Sequence, residues 1–281
     1  MKKTIDFLKT HPLVSGVIGV AFITLSVRFM GPRMNGNLEG GVFRLAFALS
    51  GMVFLYLISG EKTFEKCERT TGYVCKVLLP TLLFPLFTFF PSILTNVQGG
   101  VPLRSDWLLQ LLFVAFLCLC VGLMEEVMAR GLINDSLVYQ FRNTKKIFLI
   151  VAVVDIVVFG VIHMIGSKID TPAAFIMAVM KALSSGAGGL CYLFLYWKTR
   201  NLWGVAIMHG VYDFIATSPQ VLFQTAETTT ITANYVSSDA ETASIRIIGL
   251  GADLLINAAI ALWIWKKHMK DVDFETMRET W

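Results

Sequence analysis

Three short stretches of this chain carry side chains able to do chemistry. GLMEEVMARGL, residues 122–132, sets Glu125 and Glu126 side by side, with Arg130 a helical turn further on. FGVIH runs from Phe159 to His163, and HGVYD from His209 to Asp213. All three lie in apolar surroundings, where charge is costly and normally faces a partner or a water-filled cavity. Glu126 and Arg130 fall on one helix face and can pair. Glu125 lies about 100° round the helix and lacks that partner. Phe159 shares a face with His163, and His209 shares one with Asp213.

One imidazole inside a helix is commonly a hydrogen-bonded packing contact. Two imidazoles and an unpaired glutamate on three separate spans repeat the desolvation cost, and a shared site explains that cost better than chance. Amide hydrolysis needs an activated water and donors for the oxyanion that develops. A glutamate can act as the base, one histidine can hold the same water, and a second can donate to the oxyanion. No serine or cysteine has a base partner in the pattern, so an acyl-enzyme is not indicated. Two histidines and a carboxylate also suit zinc, with Glu125, His163 and His209 as the ligand set. HExxH, the compact zinc motif with a built-in base, is absent.

The elements that must hold these residues are membrane spans. The chain has 281 residues, 55% hydrophobic and 16% charged, and its mean hydropathy is +0.65. A soluble domain is nearer a quarter charged. The pattern predicts an all-α polytopic membrane protein, a bundle of about eight transmembrane helices over 12–30, 41–59, 74–95, 107–133, 147–167, 172–196, 201–217 and 246–265. We read 1–281 as one integral membrane domain, with a catalytic core at 107–217 and a short tail at 266–281. The long Thr-, Ser- and Ala-rich stretch 218–245 reads as a cap or loop. The basic N-terminus leads into a run too long for a cleavable signal peptide.

Lys and Arg fix the expected orientation. With the N-terminus in the cytoplasm, sixteen of the 24 basic residues fall in cytoplasmic segments and four in outer loops. Both termini are then cytoplasmic, and the short loops suggest a bacterial plasma membrane. The net charge of +4 follows from this bias and calls for no nucleic-acid partner. The five cysteines show no CxxC pair and read as apolar fillers.

EEVMARG, FGVIH and HGVYD, in this order on successive spans, resemble the CAAX protease and bacteriocin-processing enzyme (Abi) family of intramembrane proteases. Its pattern is EExxxR, then FxxxH, then HxxxN or HxxxD. GAGGLCYLFLYWKTRNLW, residues 186–203, is similar to the family's glycine-bearing helix and the turn after it. The resemblance covers about 107–217. It implies a catalytic set of Glu125, His163, His209 and Asp213. Glu125 and His163 would activate water, and His209 and Asp213 would form the oxyanion site. Glu126, Arg130 and Phe159 would be structural or tuning residues. It implies a glutamate-type peptidase that requires no metal, with zinc as the competing arrangement. The substrate would be a membrane-anchored or amphipathic peptide within the lipid bilayer. Asp213 stands where many members carry Asn; an ionised Asp cannot donate to an oxyanion, so its expected task is to orient His209 and keep it charged.

Two other readings of the same polar residues are a proton-coupled transporter and a non-catalytic bacteriocin-immunity protein. The span boundaries also leave Glu125 and His163 about two helical turns apart in depth, a gap that tilt or offset must close. Asp155 and Lys181 can pair across the fifth and sixth spans, and Asp253 has no role.

Overall fold

The computed structural model describes residues 2–34, 36–60, 62, 69–165, 167–224 and 240–281. Among them the chain is helical, with one isolated antiparallel bridge between Leu103 and Phe223. The order is α1 (Lys2–Thr10), α2 (Pro12–Met30), α3 (Asn37–Ser59), α4 (Thr71–Leu78), α5 (Leu83–Gln98), α6 (Trp107–Glu126), α7 (Ser136–Phe141), α8 (Ile147–Ile162), α9 (Pro172–Thr199), α10 (Leu202–Thr217), α11 (Pro219–Leu222), α12 (Ala240–His268) and α13 (Phe274–Thr280). Six helical stretches among the described residues are long and apolar enough to cross a membrane. The chain is a helical polytopic membrane protein. Helix also covers the predicted seventh span and the predicted fifth as far as Ile162 rather than 167, and α8 and α10 are only 16 residues each.

Caps set several boundaries. Thr171 accepts from the Ala174 amide and Pro172 takes the first position of α9, where its missing N–H costs nothing. Asn201 caps α10 by accepting from the Gly204 amide at 2.8 Å. Between them Arg200 adopts φ 52°, the left-handed turn that ends α9.

The sidedness of α8 is legible at four-residue spacing. Leu149, Val153, Val157 and Val161 are exposed, whereas Val151, Asp155 and Phe159 are buried. The first row suits acyl chains; the second faces the bundle.

The fourth span differs from its expected bounds. It does not end at residue 133. A π-helical stretch, Val127–Asp135, carries α6 into α7, so one apolar helix runs from Trp107 to Phe141. The polar residues just past that expected end are buried and partnered. Asn134 accepts from Trp197 Nε1 at 2.7 Å. Asp135 accepts from Asn134, Tyr196, Arg200, Ser59 and Trp281. The extension closes the expected depth gap. Glu125 lies 16 residues before Phe141, and His163 lies 16 residues after Ile147. The two meet at the same level of an antiparallel hairpin.

The stretch expected as a loop, 218–245, contains α11 and the start of α12; residues 225–239 lie outside the described set, as does Cys67. The tail is not loose: α13 follows an Asp273 cap, and Trp281 is buried against the bundle.

Candidate active site

Close helix crossings bring the three motifs together. A Cβ on Gly122 would lie 2.6 Å from the Ala206 carbonyl oxygen and the Gly210 amide, and a Cβ on Gly210 would lie 2.8 Å from Leu119 Cα. Only glycine at both positions lets α6 and α10 approach this far. The two glutamates one turn past Gly122 then face His209. Likewise Gly160 abuts the Ala182 carbonyl oxygen and pulls α8 onto α9.

Both Nε2 atoms converge on one oxygen. His163 Nε2 lies 3.6 Å from Glu125 Oε2, and His209 Nε2 lies 3.7 Å from the same atom. That oxygen is buried and accepts no hydrogen bond from any described residue. The separations exceed a direct hydrogen bond, so the three groups face one another without bonding directly.

The other ring nitrogens are held. His163 Nδ1 lies 2.7 Å from the Phe159 carbonyl oxygen. A carbonyl only accepts, so Nδ1 carries the proton, and in the neutral ring Nε2 presents a lone pair toward Glu125. His209 Nδ1 is bonded to Glu126 Oε1 at 2.7 Å. Asp213 Oδ2 is 3.7 Å from His209 Nε2, the same nitrogen that faces Glu125. The bond that sets the His209 ring is therefore Glu126's. This amends the orienting role expected of Asp213.

Beneath lies a dry ion-pair floor. Arg130 Nε lies 3.1 Å from Glu126 Oε2, and both side chains are fully buried. Arg130 Nη2 also donates to the Gly189 carbonyl oxygen. Asp155, an expected partner of Lys181, turns Oδ2 toward Arg130 Nη2 at 3.8 Å. The guanidinium sits 4.9 Å from the Phe159 ring centroid and 5.8 Å from that of Tyr192. Tyr192 in turn stacks on His209 at 5.2 Å and 12°. Exposure rises from 0% at Glu126 and Arg130 to 18% at Glu125 and 28% at Asp213. The site is therefore most open on the Asp213 side, and the ion pair is enclosed.

All the expected site residues thus meet in one place. Tyr192, Asp155 and Gly189 were not singled out from the sequence as members of the site. Asp253 lies elsewhere: it accepts from Ser184, from Tyr212 at 3.1 Å and from Asn257 at 2.8 Å, tying α9, α10 and α12 together. Among the described residues no group of three or more His, Cys, Asp and Glu side chains is arranged to hold a metal ion.

Residues 107–215 match the family model described as type II CAAX prenyl endopeptidase Rce1-like. This segment is similar to the Rce1-like family. Neither the curated proteins nor the solved structures compared with the chain give a match. Every site residue named above falls inside the Rce1-like segment, including Asp155, Gly189 and Tyr192. Asp253 and the docked tail lie outside it.

Proposed function

We propose that the chain is an intramembrane endopeptidase that hydrolyses a peptide bond of a membrane-anchored or amphipathic substrate with a water held by Glu125 and His163. The observation that carries this reading is the convergence of two imidazole Nε2 atoms on one unsatisfied carboxylate oxygen. Glu125 Oε2 and the His163 lone pair are both acceptors. A water between them donates one hydrogen to each, and its own lone pair is left for a carbonyl carbon.

The step balances without a further reagent. Water oxygen bonds to the carbonyl carbon, and Glu125 takes the proton. The carbonyl electron pair moves to oxygen, where the His209 imidazolium, held at Nδ1 by Glu126, donates from Nε2. Collapse reforms the carbonyl, breaks the C–N bond, and sends the proton from Glu125 to the leaving amine. Asp213, beside the same Nε2, supplies negative charge that sustains the imidazolium. Arg130 ion-pairs with Glu126 below and also faces Asp155.

The Rce1-like match suggests a prenylated C-terminal peptide as substrate, and the membrane setting suits a lipidated chain. The reading is tested with the full chain in liposomes and a fluorogenic, membrane-anchored peptide. Cleavage yielding a free carboxylate and amine at one bond supports it. Proton-coupled flux without hydrolysis contradicts it.

A further inference from the structure

We propose that the chain carries a binding site for the headgroup of an anionic phospholipid at the end of the bundle where α3, α9 and α12 stop. A cavity of about 490 Å³ opens there, lined by Lys62, Arg69, Lys198 and Arg200 together with Asp271 and Asp273. Its volume falls within the range of small-ligand sites, roughly 300–1,000 Å³. Four cations meet Asp271 and Asp273 in the lining and Asp135 behind Arg200, so the cations outnumber these carboxylates by one.

The cations are held in place rather than splayed into solvent. Lys198 Nζ lies 2.6 Å from Asp271 Oδ1. Arg200 bonds Asp135 at 3.2 Å and stacks 3.9 Å from a Trp281 ring centroid. Lys62 Nζ donates to the carbonyl oxygens of Thr280 and Trp281. Arg69 lies over the Tyr73 ring at 5.6 Å. Fixed cations around a small cavity suit a compact phosphodiester better than a diffuse polyanion.

Position chooses lipid over a soluble phosphate. Apolar helices end at Ser59, Thr199 and His268 around this cavity. Trp197 and Trp281 line its wall, as expected in the aromatic layer at headgroup depth. The Lys and Arg bias assigns this end to the cytoplasmic leaflet, which carries anionic lipid. The site lies largely outside the Rce1-like segment and does not depend on the hydrolytic reading.

The test uses the full chain in nanodiscs of phosphatidylcholine alone or doped with phosphatidylglycerol, with retained lipid counted by native mass spectrometry. The wild type retains phosphatidylglycerol in preference to phosphatidylcholine. Lys62→Gln with Arg69→Gln, both exposed positions, lowers that retention about tenfold. Lys145→Gln with Lys146→Gln, exposed on a turn away from the cavity, leaves it unchanged. Equal retention of the two lipids by the wild type overturns the proposal, as does equal loss in the control pair. Displacement of the lipid by sodium phosphate at matching concentration also overturns it, by assigning the cavity to a soluble ligand.

Discussion

Glu126 joins two partners on two different helices: Oε1 holds His209 Nδ1 at 2.7 Å, and Oε2 lies 3.1 Å from Arg130 Nε. The glutamate next to the proposed base is thus the link between the ion-pair floor and the imidazole above it. Glu126→Gln keeps an acceptor for His209 but removes the charge. It should lower kcat on the order of 10²-fold with little change in KM, as read from steady-state cleavage in liposomes.

Arg130 faces both Glu126 and Asp155, and all three side chains are fully buried. Removing one partner of a buried pair leaves uncompensated charge, at a cost of about 3–5 kcal/mol. Arg130→Ala should therefore reduce folded yield and thermal stability as well as rate. Glu125→Gln, away from that pair, should reduce rate alone. Size-exclusion profiles and melting curves in detergent separate the two outcomes.

Tyr192 stacks on His209, and its ring lies under Arg130. Tyr192→Phe keeps the ring and should keep activity within about threefold, whereas Tyr192→Ala opens a cavity worth about 3–5 kcal/mol. Parallel melting and activity measurements on the two variants decide whether the ring or the hydroxyl matters.

Gly122 and Gly210 set the approach of α6 to α10. Gly210→Ala forces backbone apart because the added carbon meets Leu119 Cα and the Cys118 carbonyl oxygen, not a flexible side-chain end. A shift near 1 Å at reacting groups costs on the order of 10²-fold. Gly249→Ala, with open space around it, is the matched control and should leave cleavage unchanged.

Outside the membrane, Lys198 hydrogen-bonds Asp271 and holds its carboxyl below the usual carboxylate range. The contact is fully present above the unfolded carboxyl's pKa and is lost as pH falls through the lower, folded value. Tail docking should therefore persist through mild acid and fail only below the ordinary aspartate range. Hydrogen exchange over 271–281 at stepped pH reads this directly.

Helical spacing alone separated Glu125 from the Glu126–Arg130 pair, and apolar runs located the helices. What was not legible came from contacts between distant residues. The fourth span continues past residue 133 because Trp197, Tyr196, Arg200 and Trp281 satisfy Asn134 and Asp135, which local sequence cannot show. That missed extension alone produced the apparent depth gap between Glu125 and His163. The Glu126–His209 bond and the Asp155–Arg130 contact cross between helices, so no i, i+4 rule reaches them. Tyr192 drew no attention, since nothing in its own helix indicates an imidazole stacked on it.

The most direct measurement is a double-mutant cycle on single-turnover cleavage, using Glu125→Gln, His163→Asn and the pair. If both side chains hold one water, each single change should cost about 10³-fold and the double change scarcely more than either. Losses that multiply in the double variant, or a Glu125→Gln protein that still cleaves at the wild-type rate, would contradict the shared-water account.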